Sequence, residues 1–229
     1  MELKKGIEYA DKSWNPYSGC RNIEDGMCLV GKACWARGMA HRLRGRFGYD
    51  RDDPFKPTFH PDKLDIPLKR KKPTRFDCCF MGDIGFARAE WMEEIFEVIR
   101  KCPQHRFYML TKRPDLVLKL NLKFPPNVWL GVSVNENREV WRIQFLKSID
   151  CEHSWVSFEP LYTAINPPFI DGIDWIVIGA QTNPSIQPNP EWVELLIEEA
   201  DDLGIPVFIK PNLTVVKGRM ELPDDLNWG

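Results

Sequence analysis

No stretch of this sequence approaches the ~20 consecutive apolar residues that a membrane span needs, and its opening residues, "MELKKGIEYADKSW", lack the apolar core of a secretory signal. No repeat of fixed period and no low-complexity segment stands out. These absences predict a soluble, cytoplasmic chain with no membrane partner. A paired set of cysteines is missing too. The seven cysteines are an odd number, and Cys78 and Cys79 lie inside an apolar run. A disulfide framework fits such a pattern poorly, and reduced thiols with a metal role fit it better.

What is present is ordinary in bulk and uneven in detail. The 229 residues are 43% hydrophobic and 28% charged, which predicts one folded domain over 1–229. The net charge is −2, yet residues 35–75 hold twelve Lys/Arg against five Asp/Glu, a local +7 that leaves −9 for the rest. Such clustering suits a phosphate-bearing partner, a nucleic acid or nucleotide, and a solvated surface would look the same.

Short β-favouring runs recur at 75–83, 105–114, 127–135, 153–160, 174–183 and 205–211, with an early strand expected near "GIEYA". Each is continuously apolar, as strands buried on both faces of a parallel sheet are. Helical patterns fall at 88–102, 136–149 and 190–204. The first places Trp91, Ile95, Val98, Ile99 and Cys102 on one face; the last opens on Pro190 and closes on Gly204. Strand–helix alternation predicts an α/β fold, a partial or complete (β/α) TIM-like barrel, with an open doubly wound sheet as the alternative. A C-terminal tail begins near residue 211.

Polarity gathers where these runs end: Gly82-Asp83, Thr111-Lys112-Arg113, Ser133 and Asn135, Ser157 and Glu159, Gly179 with Gln181, and Lys210. In a parallel barrel those ends converge on one mouth. Glu159, before Pro160, is the candidate acid/base there, with Lys112 and Lys210 as catalytic partners or as salt-bridge neighbours. Cys20, Cys28 and Cys34, with seven and then five residues between them, follow the first strand and so belong to a loop at about 14–46 over the same mouth. Three thiolates suit a 4Fe-4S cluster with one iron left open, and suit zinc if a fourth ligand is found. His41 is the nearest histidine. Arg42, Arg44 and Arg46 after Cys34, with Arg113, are candidate phosphate-holding residues. Trp14 and Trp35 flank the cysteines as candidate site residues, while Trp91, Trp129, Trp155, Trp175 and Trp192 read as core. Cys78, Cys79, Cys102 and Cys151 read as packing residues.

The motifs "SWNPYSGC", "CWA", "FMGDI", "YMLTKRPD", "NVWLGVSVNEN", "WVSFEPL", "DWIVIGAQ" and "VFIKP" occur in that order. Together they resemble a phage and prokaryotic three-Cys-motif family of unknown function allied to the radical S-adenosylmethionine (SAM) superfamily. That resemblance implies a radical SAM type of barrel and a cluster on Cys20, Cys28 and Cys34. It also implies SAM cleaved reductively to a 5′-deoxyadenosyl radical, and a flavodoxin- or ferredoxin-like reductant as partner. By the same resemblance Gly82 and Asp83 would meet the SAM amino group, Ser133 and Asn135 its ribose, and Gly179 and Gln181 its adenine. The cysteine gaps are wider than that superfamily's commonest loop, a difference of only ~0.6 kcal/mol per doubling of length. Two other readings are a zinc-holding or substrate-binding barrel without radical chemistry, and a hydrolase or transferase built on Glu159.

Overall fold

A computed structural model describes residues 7–28 and 34–226. Seven strands are hydrogen-bonded in the order β1-β4-β5-β6-β7-β8-β11, and every registered pairing among them is parallel. They are β1 (Lys12–Trp14), β4 (Arg75–Cys78), β5 (Arg106–Thr111), β6 (Val128–Ser133), β7 (His153–Phe158), β8 (Trp175–Ile178) and β11 (Val207–Ile209). Two short antiparallel pairs are separate: β2 (Tyr17–Ser18) with β3 (Thr58–Phe59), and β9 (Gln181–Thr182) with β10 (Ser185–Ile186). The fold is mixed α/β on parallel strands, with five α-helices among the described residues. Among the described residues no helix is long and apolar enough to cross a membrane. The chain divides into two compact units, one running to Trp129 and including Asp150–Glu152, the other formed by Leu130–Ile149 and the chain from His153 on.

In the first unit, β1 lies at Lys12–Trp14, later than expected, because residues 8–9 form a turn. Trp14, expected at a site, is instead core: its ring packs on Phe76 and Phe107 and its Nε1–H donates to the Lys63 carbonyl at 2.7 Å. Helix α2 (Ala89–Arg100) buries Met92, Ile95, Phe96, Val98 and Ile99. That stripe is rotated from the expected one, and it leaves Trp91 half-buried, stacked on Phe59 and covered by Arg88. Helix α1 (Trp35–Arg42) is short and buries only Ala36 and Ala40; α3 (Pro114–Lys119) starts on its proline.

Asp77, in the middle of β4, is buried and accepts from Ser13 Oγ at 2.8 Å. Burial pushes its carboxyl up to about 7, against the opposing pull of that hydrogen bond.

The second unit buries Trp155 and Trp175 as tilted neighbours across β7 and β8. Gly131 in β6 leaves room for the Trp155 ring, which a Cβ there would overlap. Helix α4 (Trp141–Leu146) is shorter than its sequence pattern suggests, because residues 137–139 form a 3-10 turn. Its buried face includes Arg142, which meets Glu139 at 2.9 Å. Helix α5 (Pro190–Asp202) is capped by the Asn189 side chain, which accepts from the Glu191 amide at 3.0 Å. Gly204 follows with φ of 67°, the left-handed residue common after a helix end.

Because the folded chain holds the Asp77 proton above the unfolded carboxyl range, this group's contribution to stability falls as pH rises from about 4 to about 7, then levels. Urea midpoints across that window should fall for the native protein, and the fall should shrink in Asp77→Asn. Gly131→Ala should lose about 1–3 kcal/mol in the same assay through overpacking against Trp155.

Candidate metal centre

The cysteine region is built from a contact between two backbones. Gly19 and Gly82 form an isolated parallel bridge, in which the Gly19 amide donates to Met81 and its carbonyl accepts from Asp83, both at 3.0 Å. A Cβ on Gly82 would overlap the Gly19 carbonyl, and one on Gly19, whose φ is 99°, would overlap Lys56. Only glycine at both positions lets the chains approach this closely. Cys20 is the next residue, and its amide donates to Phe55 at 3.0 Å.

Asp83 secures the segment beyond Cys20. Its buried carboxylate accepts from Asn22 Nδ2 (2.6 Å), Thr111 Oγ1 (2.5 Å), the Lys112 amide (2.8 Å) and the Gly85 amide (3.0 Å). Four donors from three segments converge there, so burying the charge is offset by charge-assisted hydrogen bonds. A compact turn over 22–27 is closed by the Met27 amide on the Asn22 carbonyl at 2.8 Å. Arg113 pins that turn, reaching Asp25 at 2.7 Å while forking onto Asp115 at 2.9 Å.

The turn delivers Cys28. Cys34 then opens α1 as its N-cap, its sulfur accepting from the Arg37 amide at 3.5 Å, while Cys20 Sγ accepts from the Asn22 amide at 3.3 Å. Cys20 and Cys34 pack beside a small core of Ala36, Ala40, Tyr49, Phe55 and Met81. The three sulfurs lie within electrostatic range of one another. Burial, then the Asp83 charge, pushes the Cys20 thiol up to about 12, with Cys28 and Cys34 adding to the rise. Burial also raises Cys34, with Cys28 adding and the Lys112 ammonium opposing. Without a cation Cys20 and Cys34 therefore hold their protons. Among the described residues no three His, Cys, Asp or Glu side chains converge to hold a metal ion. His41 is exposed, its Nδ1 3.0 Å from Arg44.

A match to the family model described as "Protein of unknown function (DUF5131)" spans residues 4–217. The chain belongs to that family. No curated protein and no solved structure matches it. The DUF5131 match takes in residues of both units.

The remaining candidates of this DUF5131 chain sort by unit. In the first, Gly82 and Asp83 build the cysteine turn, Arg113 pins it, and Arg42, Arg44 and Arg46 are exposed on and after α1. In the second, Lys210 Nζ donates to Glu159 Oε1 at 2.6 Å. A Cβ on Gly179 would come within 2.9 Å of Glu159 and 3.2 Å of Lys210, so this glycine makes room for the pair. Asn135 donates to the Pro160 carbonyl at 2.8 Å, and the Ser133 carbonyl accepts from Arg142 at 2.8 Å. Gln181 accepts from Tyr162 Oη at 2.6 Å.

Asn22 was not anticipated. It is 2% exposed, and its Oδ1 has no hydrogen-bond partner even though its Nδ2 is spent on Asp83. A buried unsatisfied acceptor two residues from Cys20 calls for a donor. Nothing in "CRNIE" marks it, because a surface asparagine in a turn reads the same way.

Removing the Asp83 carboxylate strands four donors. Asp83→Ala should cost about 3 kcal/mol or more, read as a lowered melting temperature. Arg113→Ala should cost less, since its ion pairs are partly exposed.

Proposed function

We propose that Cys20, Cys28 and Cys34 hold a 4Fe-4S cluster and that the protein is an iron–sulfur enzyme of the radical SAM type, on a partial β/α barrel. The observation that carries this reading is the supply of three thiols beyond β1 and β2, near enough that Cys28 adds to the raised pKa of both Cys20 and Cys34, while no three His, Cys, Asp or Glu side chains among the described residues converge on one point. A single zinc ion needs its sulfurs about 2.3 Å from one centre. A cluster spreads its ligands over separate irons, so it tolerates wider spacing. The donor set fits chemically: three soft thiolates, two of them already accepting backbone N–H groups, which favour the ionised sulfur.

When bound, the group would supply an open iron at which SAM is held and cleaved by an electron from a flavodoxin- or ferredoxin-like reductant. The chain's own residues set the conditions. Asp83 and Arg113 hold the turn that carries Cys20 and Cys28. The Lys112 ammonium offsets thiolate charge at Cys34. The unpartnered Asn22 Oδ1 offers a buried acceptor for a ligand's N–H or O–H. Glu159 and Lys210, held as an ion pair, are the acid/base candidates of the second unit. A hydrolase built on them is the second reading, and their mutual neutralisation weighs against it.

Anaerobic reconstitution with iron and sulfide should yield a brown protein with about four irons per chain, and it should fail in Cys20→Ala/Cys28→Ala/Cys34→Ala. SAM cleavage under reductant should follow iron content. One tightly held zinc per native chain, with no iron uptake, would sink the cluster.

A further inference from the structure

We propose that α1 and the turn after it form a docking surface for single-stranded nucleic acid. That this strand is the substrate of the cysteine centre rests on the cluster reading; the docking itself does not.

Among the described residues the two most exposed large apolar side chains are Trp35 (59%) and Phe47 (69%). They bracket the three arginines. Neither ring is buried by the fold or stacked on another ring among the described residues. Phe47 is held out at a conformational cost, with φ of 52°, between Gly45 at 69° and Gly48 at 81°. The turn is fixed by the Gly45 amide on the Tyr49 carbonyl (2.9 Å) and by close packing of Gly48 on the His60 ring.

Arg42, Arg44 and Arg46 are exposed, and none has a carboxylate partner among the described residues. Arg21, Arg37, Arg75 and Arg113 of the same unit are each ion-paired. Residues 35–49 contain no Asp or Glu; of the next acids, Asp50, Asp52 and Asp53, the first and last are taken by Lys56 and Arg21. The contacts that Arg44 and Arg46 do make, to the His41 and Arg42 carbonyls, keep the guanidinium groups along the helix end.

Guanidinium groups bind phosphate oxygens, and aromatic faces stack on bases of any sequence. A duplex hides its base faces, so this combination selects an unstacked strand. A membrane surface would need a continuous apolar helix face, whereas the apolar side of α1, Ala36 and Ala40, is buried in the small core. The surface also begins at the residue after Cys34. A rival is the groove of about 500 Å³ lined by Lys12, Lys69, Arg70, Lys71 and Lys72, at the start of β1 and β4. It has charge but no exposed ring, since its Phe76 is fully buried.

The test is fluorescence anisotropy with a labelled single strand of about fifteen nucleotides, its blunt duplex, and co-sedimentation with phosphatidylserine vesicles. The single strand should bind more tightly than the duplex. Trp35→Ala/Phe47→Ala should weaken it roughly tenfold or more with little effect on the duplex. Arg42→Ala/Arg44→Ala/Arg46→Ala should reduce the slope of log affinity against log salt by about 2. All five side chains are exposed, so melting temperatures should hold. The native chain prepared without iron should bind as the reconstituted chain does, and such binding with no iron uptake by the native protein would remove the cofactor reading while supporting the surface. Equal or tighter duplex binding, unchanged affinity in the ring variant, loss confined to Lys69→Ala/Lys71→Ala/Lys72→Ala, or preferential vesicle binding would each overturn the proposal.

Discussion

The candidate centre depends on one carboxylate. Asp83 sits just past the Gly19–Gly82 bridge and accepts from an asparagine, a threonine and two amides. The backbone contact sets where Cys20 emerges, and the carboxylate sets where the next turn lies. A buried anion this well satisfied is rigid because every donor would be left orphaned by its movement. The Arg113–Asp25 pair then acts on a turn whose root is already held, which is why it needs only a partly exposed contact.

The same rigidity explains the electrostatics of the thiols. Burial at Cys20 and Cys34, joined at Cys20 by the fixed Asp83 charge, favours the uncharged thiol at both, most strongly at Cys20. A site that resists ionisation by itself becomes favourable once a cation replaces the protons. Lys112 moderates this from the end of β5, its backbone bound to Asp83 while its ammonium acts on Cys34. One short segment, 111–113, thus contributes to the carboxylate, the thiols and the turn. In the second unit the pairing of Glu159 with Lys210 over Gly179 is a comparable use of a missing Cβ, spent on an ion pair rather than on a backbone contact.

Much of the fold could be read from residue patterns. Six of the seven parallel strands fall in the apolar runs, because a strand buried on both faces has to be apolar throughout. The Pro190 and Gly204 signals bounded α5 for the reason they do in isolated helices. The first strand was misplaced, since "GIEYA" carries the β-favouring residues while the pairing with β4 is made by "KSW". Trp14 and Trp91 both departed from expectation: proximity to Cys20 suggested a site for the first, which is core, and helical periodicity suggested core for the second, which is half-buried. Trp14 is placed in the core by Phe76 and Phe107, both distant in sequence.

By itself, the sequence determined the parallel α/β alternation, the spacing of the three cysteines, the glycines at 19, 82 and 179, and the concentration of arginine after Cys34. These are local or periodic properties, set by which residues a strand, a turn or a helix will accept. Tertiary structure alone decided that Asn22, Asp83 and Thr111 meet, that Arg113 closes the cysteine turn, and that Trp35 and Phe47 stay outside. Each of those outcomes joins segments far apart in the chain or depends on what fills the space beside a side chain, and no spacing rule carries that information.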